Sequence, residues 1–144
     1  MVKNEWLSSE CGSFVLRLFF GAAFLVAGLE KVLMFGMAKG MFEGFFPGLG
    51  APMLVLAIFV ELIGGVALLV GFYTRYAAGI LALLILVAFV STFKLGDATT
   101  AVSVLREIMV MNTGSGNTAV NYAYFAALLS LVFSGSSSHA VKPD

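Results

Sequence analysis

Glu61 stands almost at the middle of the apolar run 52–72, and Arg17 lies inside another, 14–34. A charge at the centre of a membrane-crossing helix costs about 2.5 to 3.5 kcal/mol even on the lenient insertion scale. A carboxylate there can exchange a proton, hydrogen-bond a polar ligand, or neutralise a cation on a neighbouring helix. At 100° per residue, Arg17, Gly21, Gly28 and Lys31 share one narrow stripe of the first run, while Glu30 points elsewhere. In the second run Ala57, Glu61, Gly64, Gly65 and Leu68 share a stripe of the same kind. Small residues beside a charge permit the close backbone approach that helix association in lipid requires. The two stripes are therefore expected to meet, with Gly21, Gly28, Gly64 and Gly65 as packing positions. If the helices are antiparallel with midpoints at about residues 23 and 62, the 1.5 Å rise puts Arg17 about 10 Å along the axis from Glu61, and Lys31 about as far on the other side. The longer reach of arginine makes Arg17 the expected partner of Glu61, with Lys31 or a water chain as the second choice. Such a pair either locks helix register or marks a proton-responsive or ligand-binding carboxylate; a lone Glu61 kept protonated by burial is the third reading.

Other chemistries lack their residues. One cysteine, Cys11, allows no intramolecular disulfide, no CxxC pair and no thiolate cluster, and one histidine, His139, stands in a polar tail. No metal site is expected, and no dinucleotide fingerprint is present. Eight basic residues balance eight acidic ones without a basic stripe, which argues against nucleic-acid binding. Hydrophobic residues make up 60% of the chain and charged ones 11%, with a mean hydropathy of +1.03. Disorder and an ordinary water-soluble domain are both excluded by that balance.

What must position these residues is a set of membrane spans. A hydrocarbon core about 30 Å thick needs about 20 apolar residues per helix, and on that criterion one domain, 1–144, holds spans at 14–34, 52–72, 76–93 and 118–133. The expected fold is all-α: an integral membrane four-helix bundle with amphipathic interfacial segments in the long loops. The first span is expected to be retained, since acidic residues precede it and Arg17 lies within it. Only Tyr73, Thr74 and Arg75 join the second and third spans, which must then be antiparallel neighbours. The third span carries no polar residue between Tyr76 and Val90 and is expected to be the most exposed to lipid.

The segment 35–51 is too apolar for a solvated loop and too broken by glycine and Pro47 to span, so an interfacial or re-entrant segment is predicted. Its Met37, Met41, Phe42, Phe45 and Phe46 either anchor it in the interface or line a pocket for an isoprenoid tail. The segment 101–111 places Leu105, Ile108 and Met109 opposite Arg106, a second surface helix. Trp6, Tyr73, Tyr76 and Tyr122 fall at span ends, where aromatic anchors belong. Glu30, Lys31 and Lys94 are expected to snorkel, and Asn112, Asn117 and Asn121 to cap the last helix. Lysine and arginine divide equally between the two sides, so the positive-inside rule decides no orientation.

The run Arg17-Leu-Phe-Phe-Gly21 with Phe24-Leu25 and Gly28-Leu-Glu30-Lys31 resembles the first helix of the DoxX family. The stretch from Glu61 through Gly64, Gly65, Gly71, Thr74 and Arg75 to Ala78 is similar to its second helix and the turn that follows. That resemblance implies a four-helix protein of a bacterial or archaeal cytoplasmic membrane with both termini cytoplasmic, related to membrane subunits of quinone-linked oxidoreductases and to proteins of redox homeostasis. It carries over Arg17, Lys31, Glu61, Gly64, Gly65 and Arg75, of which Lys31 and Arg75 are secondary polar candidates. The chain departs from the family pattern after the third span.

Three functions are compatible with these residues. One is a small membrane subunit or accessory protein of a quinone-linked redox system, not catalytic alone, with Glu61 and Arg17 facing a quinone and a soluble redox subunit supplying electrons. Another is a small proton-coupled transporter acting as a dimer through Glu61, the even charge balance suiting a chain that inserts both ways. The third is a scaffold that touches only lipid and protein.

Overall fold

The computed structural model describes residues 9–93, 100–109, 118–136 and 140–141. They form six helices and no strand: α1 (Ser9–Leu33), α2 (Phe35–Phe45), α3 (Gly50–Val70), α4 (Thr74–Thr92), α5 (Ala101–Met109) and α6 (Thr118–Ser134). At 1.5 Å per residue, α1, α3 and α4 are about 37, 31 and 28 Å long, and these three are long and apolar enough to cross a membrane. With 17 residues, α6 reaches only about 25 Å. The chain is an all-α membrane protein. Trp6, Lys94, Asn112, Asn117 and His139 lie outside the described residues.

Local chemistry sets the helix boundaries. α3 ends on Gly71, at φ 69° and ψ 47°, with Phe72 N–H donating to Ala67 O at 2.9 Å and Gly71 N–H to Leu68 O at 3.2 Å. This is the left-handed closure that glycine permits most easily. Tyr73 follows, also left-handed at φ 47°, and the chain enters α4 antiparallel to α3. At the other end of α3, the Glu43 carboxylate accepts from Gly48 N–H and, at 3.0 Å, from Gly50 N–H. An acidic group thus satisfies donors at a helix N-terminus, where the helix dipole favours it. Pro52 stands within the first turn of α3, where its missing N–H costs nothing.

α1 lies along α3, α3 along α4 and α4 along α6, while α6 also touches α1. One core gathers Phe24, Leu68, Ala78, Leu81, Leu128 and Leu131 between them. The segment 35–51 contains a true helix: α2 folds back on α3, burying Ala38 against Leu54 and Ile58, with Phe42 and Leu62 alongside. α5 packs against α6 and leaves Val102, Leu105 and Met109 exposed along one stripe, as a helix lying on a membrane surface would.

The expectation that the third span is the most lipid-exposed is overturned. The margin is small: α1 is the least buried of the three long helices, α4 buries Thr74, Ala77, Ala78, Leu81, Ala82 and Ile85 against α3 and α6, and α4 still presents Tyr76, Ile80, Leu83 and Val90 outward. Lipid tails are as apolar as leucine, so an uninterrupted apolar run carries no information about which face meets lipid.

Candidate functional site

Glu61 is bound by Lys31. The Nζ of Lys31 donates to both carboxylate oxygens at 2.8 Å and makes a longer contact with Ala27 O at 3.4 Å. The carboxylate side chain is 8% exposed and the lysine 22%. The expected Arg17–Glu61 pair does not form, and the reason is register. A Cβ on Gly21 would lie 2.9 Å from Gly65 O, and one on Gly65 would lie 2.9 Å from Gly21 O, so the two backbones touch there. Gly65 also abuts Leu25 of α1, and a Cβ on Gly28 would meet side-chain atoms, Leu62 at 2.8 Å and Glu61 Cβ at 3.3 Å. Glu61 therefore sits opposite Gly28, about one helical turn farther along α1 than equal midpoints imply. Lys31 is then about 5 Å away along the axis and Arg17 about 16 Å. For Lys31, snorkelling is replaced by an interior ion pair.

Arg17 occupies the opposite end of α1. It is 1% exposed, its guanidinium carbon lies 5.7 Å from the centroid of the Phe14 ring, and Nη1 lies against Gly71, where a Cβ would come within 2.3 Å. Nearby, Ser13 Oγ donates to Gly135 O and Val141 N–H to Val70 O at 2.9 Å. Arg17 is thus part of the closure at the α3–α4 turn, remote from Glu61. Arg75 is exposed at the start of α4. The four glycines divide: Gly21, Gly28 and Gly65 serve the α1–α3 contact, whereas Gly64 receives Leu81 of α4, its nearest atom 2.9 Å from a Cβ placed there. Tyr73 and Tyr76 stack edge-on at the α3–α4 turn, centroids 6.0 Å apart.

The Lys31–Glu61 pair borders an open cavity of about 410 Å3 lined by residues of α1, α2, α3, α4 and α6. Ala23, Ala27, Ala57 and Ala88 line it and leave it open, while Met41, Phe42 and Phe45 of α2 and Phe46, which caps that helix, form one side. The methionine and phenylalanine run therefore faces a cavity beside the ion pair. Asn121 and Tyr124 of α6 complete the polar part of the wall. Phe20 and Phe24 hold the Tyr124 ring edge-on, with centroids at 5.0 and 6.0 Å. Ser91 and Thr92 also line the cavity, each hydroxyl donating at 2.8 Å to a carbonyl of its own helix. Tyr124 is not among the residues expected at a site, and Asn121 is expected only as a helix cap. Their spacing of three residues on a helix was the signal that both share a face.

A model of the DoxX family matches residues 12–94. The chain belongs to the DoxX family. The matched stretch holds Lys31, Glu61, the Gly21–Gly65 contact and the α2 aromatics, so most of the cavity lies within the DoxX region. Asn121 and Tyr124 are contributed by the part of the chain beyond it. Neither the curated proteins nor the solved structures contain a significant match.

Proposed function

We propose that this DoxX protein is a small membrane subunit or accessory protein of a quinone-linked redox system, and that its cavity receives a quinone head group. The observation that carries the reading is the Lys31–Glu61 pair at the edge of an aromatic-walled apolar cavity. The volume of about 410 Å3 falls in the range of small-molecule sites, which combine apolar walls with a few placed polar groups. Two hydrogens of the lysine ammonium are engaged by Glu61, and the third makes only the 3.4 Å contact with Ala27 O. A ligand carbonyl would take that third hydrogen at little cost. Glu61 holds the ammonium in place, and Tyr124 and Asn121 offer further polar contacts across the cavity.

In this reading α6 serves as a fourth, short span, completing a four-helix bundle in the bacterial cytoplasmic membrane with both termini on the cytoplasmic side. No metal is required in this chain. A soluble redox subunit would supply electrons, and a homo-oligomer is compatible with the exposed apolar face of α1. The transporter alternative draws on the even charge balance and on a lone glutamate alternating between proton and substrate. With both oxygens of Glu61 engaged by Lys31, the glutamate no longer favours it.

The test is photolabelling in native membranes with an azido-quinone, followed by peptide mapping. Labelling of α2 and α4 peptides that competes with unmodified quinone and falls at least tenfold in Lys31→Met supports the reading. Uniform labelling of all apolar helices, unchanged in Lys31→Met, refutes it.

A further inference from the structure

A second cavity of about 210 Å3 adjoins the first, and Phe42, Phe46, Ala57, Leu84 and Val87 line both. The rings of Phe42 and Phe46 stand 6.4 Å apart, tilted at 41°, where the two spaces meet. The remaining walls of the smaller cavity are Met53, Leu56, Val60, Ile80 and Leu83, so no polar side chain lines it. Leu56, Ile80 and Leu83 are each more than half exposed, at 55, 56 and 61%. They lie within α3 and α4, well away from either helix end, so the mouth opens sideways at hydrocarbon depth.

We infer that the smaller cavity is the path for the apolar tail of an amphiphilic ligand whose polar head lies against Lys31 and Glu61, the tail running past the Phe42 and Phe46 rings that line both spaces and out between α3 and α4 into lipid. This inference rests on the proposed head-group site and specifies the class of molecule that fills it: a flat polar head carrying a long hydrocarbon chain, entering from the bilayer. Polarity divides the two spaces to match. Every charged or hydrogen-bonding side chain lies in the larger cavity and none in the smaller one. A water-soluble ligand would gain nothing from a second, wholly apolar chamber that opens toward hydrocarbon.

The tail contributes little affinity by leaving lipid, because hydrocarbon is exchanged for hydrocarbon. What the channel supplies is room: a tailed ligand can seat its head only if the tail has an exit. Blocking the exit should penalise tailed ligands alone.

The experiment titrates purified full-length protein in nanodiscs with two probes, a benzoquinone without a side chain and the same head group bearing several isoprene units. Wild type is compared with Leu56→Trp and Leu83→Trp, two rim positions exposed enough for either ring to be accommodated without repacking the core. Each tryptophan is expected to weaken the tailed probe tenfold or more and to leave the tailless probe within twofold. Equal loss for both probes, or no loss for the tailed one in either variant, overturns the tail path. Glu61→Gln and Lys31→Met test the head-group site separately, since they should weaken both probes. If neither probe binds wild type, or if binding ignores both of these changes, the proposed function fails and the tail path with it. Sensitivity to Lys31→Met without sensitivity to the rim tryptophans refutes the tail path alone.

Discussion

Removing one partner of the Lys31–Glu61 pair should cost more from one side than from the other. In Lys31→Met, the Glu61 carboxylate, 8% exposed in the middle of α3, loses both 2.8 Å bonds and is left as an unpaired, largely buried charge, a loss of about 3 to 5 kcal/mol. In Glu61→Leu, the ammonium of Lys31 starts from the last turn of α1, and its four-carbon stem can carry the charge toward the interface. That loss should be smaller, about 2 kcal/mol. The double variant exchanges both groups for apolar ones of similar size and should cost at least about 2 kcal/mol less than the sum of the singles. Arg17→Leu combined with Glu61→Leu should be additive within about 0.5 kcal/mol, because the two sites lie well beyond coupling range. The assay is reversible unfolding in mixed micelles followed by far-UV circular dichroism. Additivity between Lys31 and Glu61, or coupling between Arg17 and Glu61 instead, would refute the register and the pair derived from it.

Glycine substitutions should separate crossing points from open faces. Gly65→Ala drives a methyl to within 2.9 Å of Gly21 O and should cost about 1 to 3 kcal/mol. In contrast, Gly40→Ala on α2 meets nothing within 4 Å and should stabilise by about 0.5 to 1 kcal/mol, both read as unfolding midpoints in the same micelles. Gly71→Ala combines φ 69° with a Cβ placed 2.3 Å from Arg17 Nη1, so a loss of at least about 1 to 2 kcal/mol is expected. For orientation, a fluorescent protein fused after Asp144 should fluoresce in the cytoplasm, and a periplasmic phosphatase fused there should stay inactive; the opposite pair of results would reverse the assigned topology.

The elements of this fold are legible in the residues because span length and apolarity are one-dimensional quantities. The bounds of α3 and α4 fall within two residues of the spans read from composition, and the three-residue connection between them already requires antiparallel neighbours. The facing stripes of α1 and α3 follow from helical periodicity, as does the need for a partner near Glu61. Which cation fills that need does not. Register depends on where the two helices nest, here Gly65 between Gly21 and Leu25 and Glu61 against Gly28, and a shift of one turn exchanges Arg17 for Lys31. Span midpoints cannot resolve a turn.

Composition determined by itself that this is an all-α membrane chain with one intramembrane carboxylate in need of a partner, because the cost of an exposed backbone or a bare charge in hydrocarbon is independent of the neighbours. Tertiary structure alone decided that Lys31 is the partner, that Arg17 belongs to the far end, that α4 is packed between α3 and α6, and that Tyr124 joins the α2 aromatics around one cavity. Each of these turns on contacts between helices distant in the chain. In lipid such contacts are chosen by shape and backbone approach, whose energies no pattern of apolar residues along a single helix encodes.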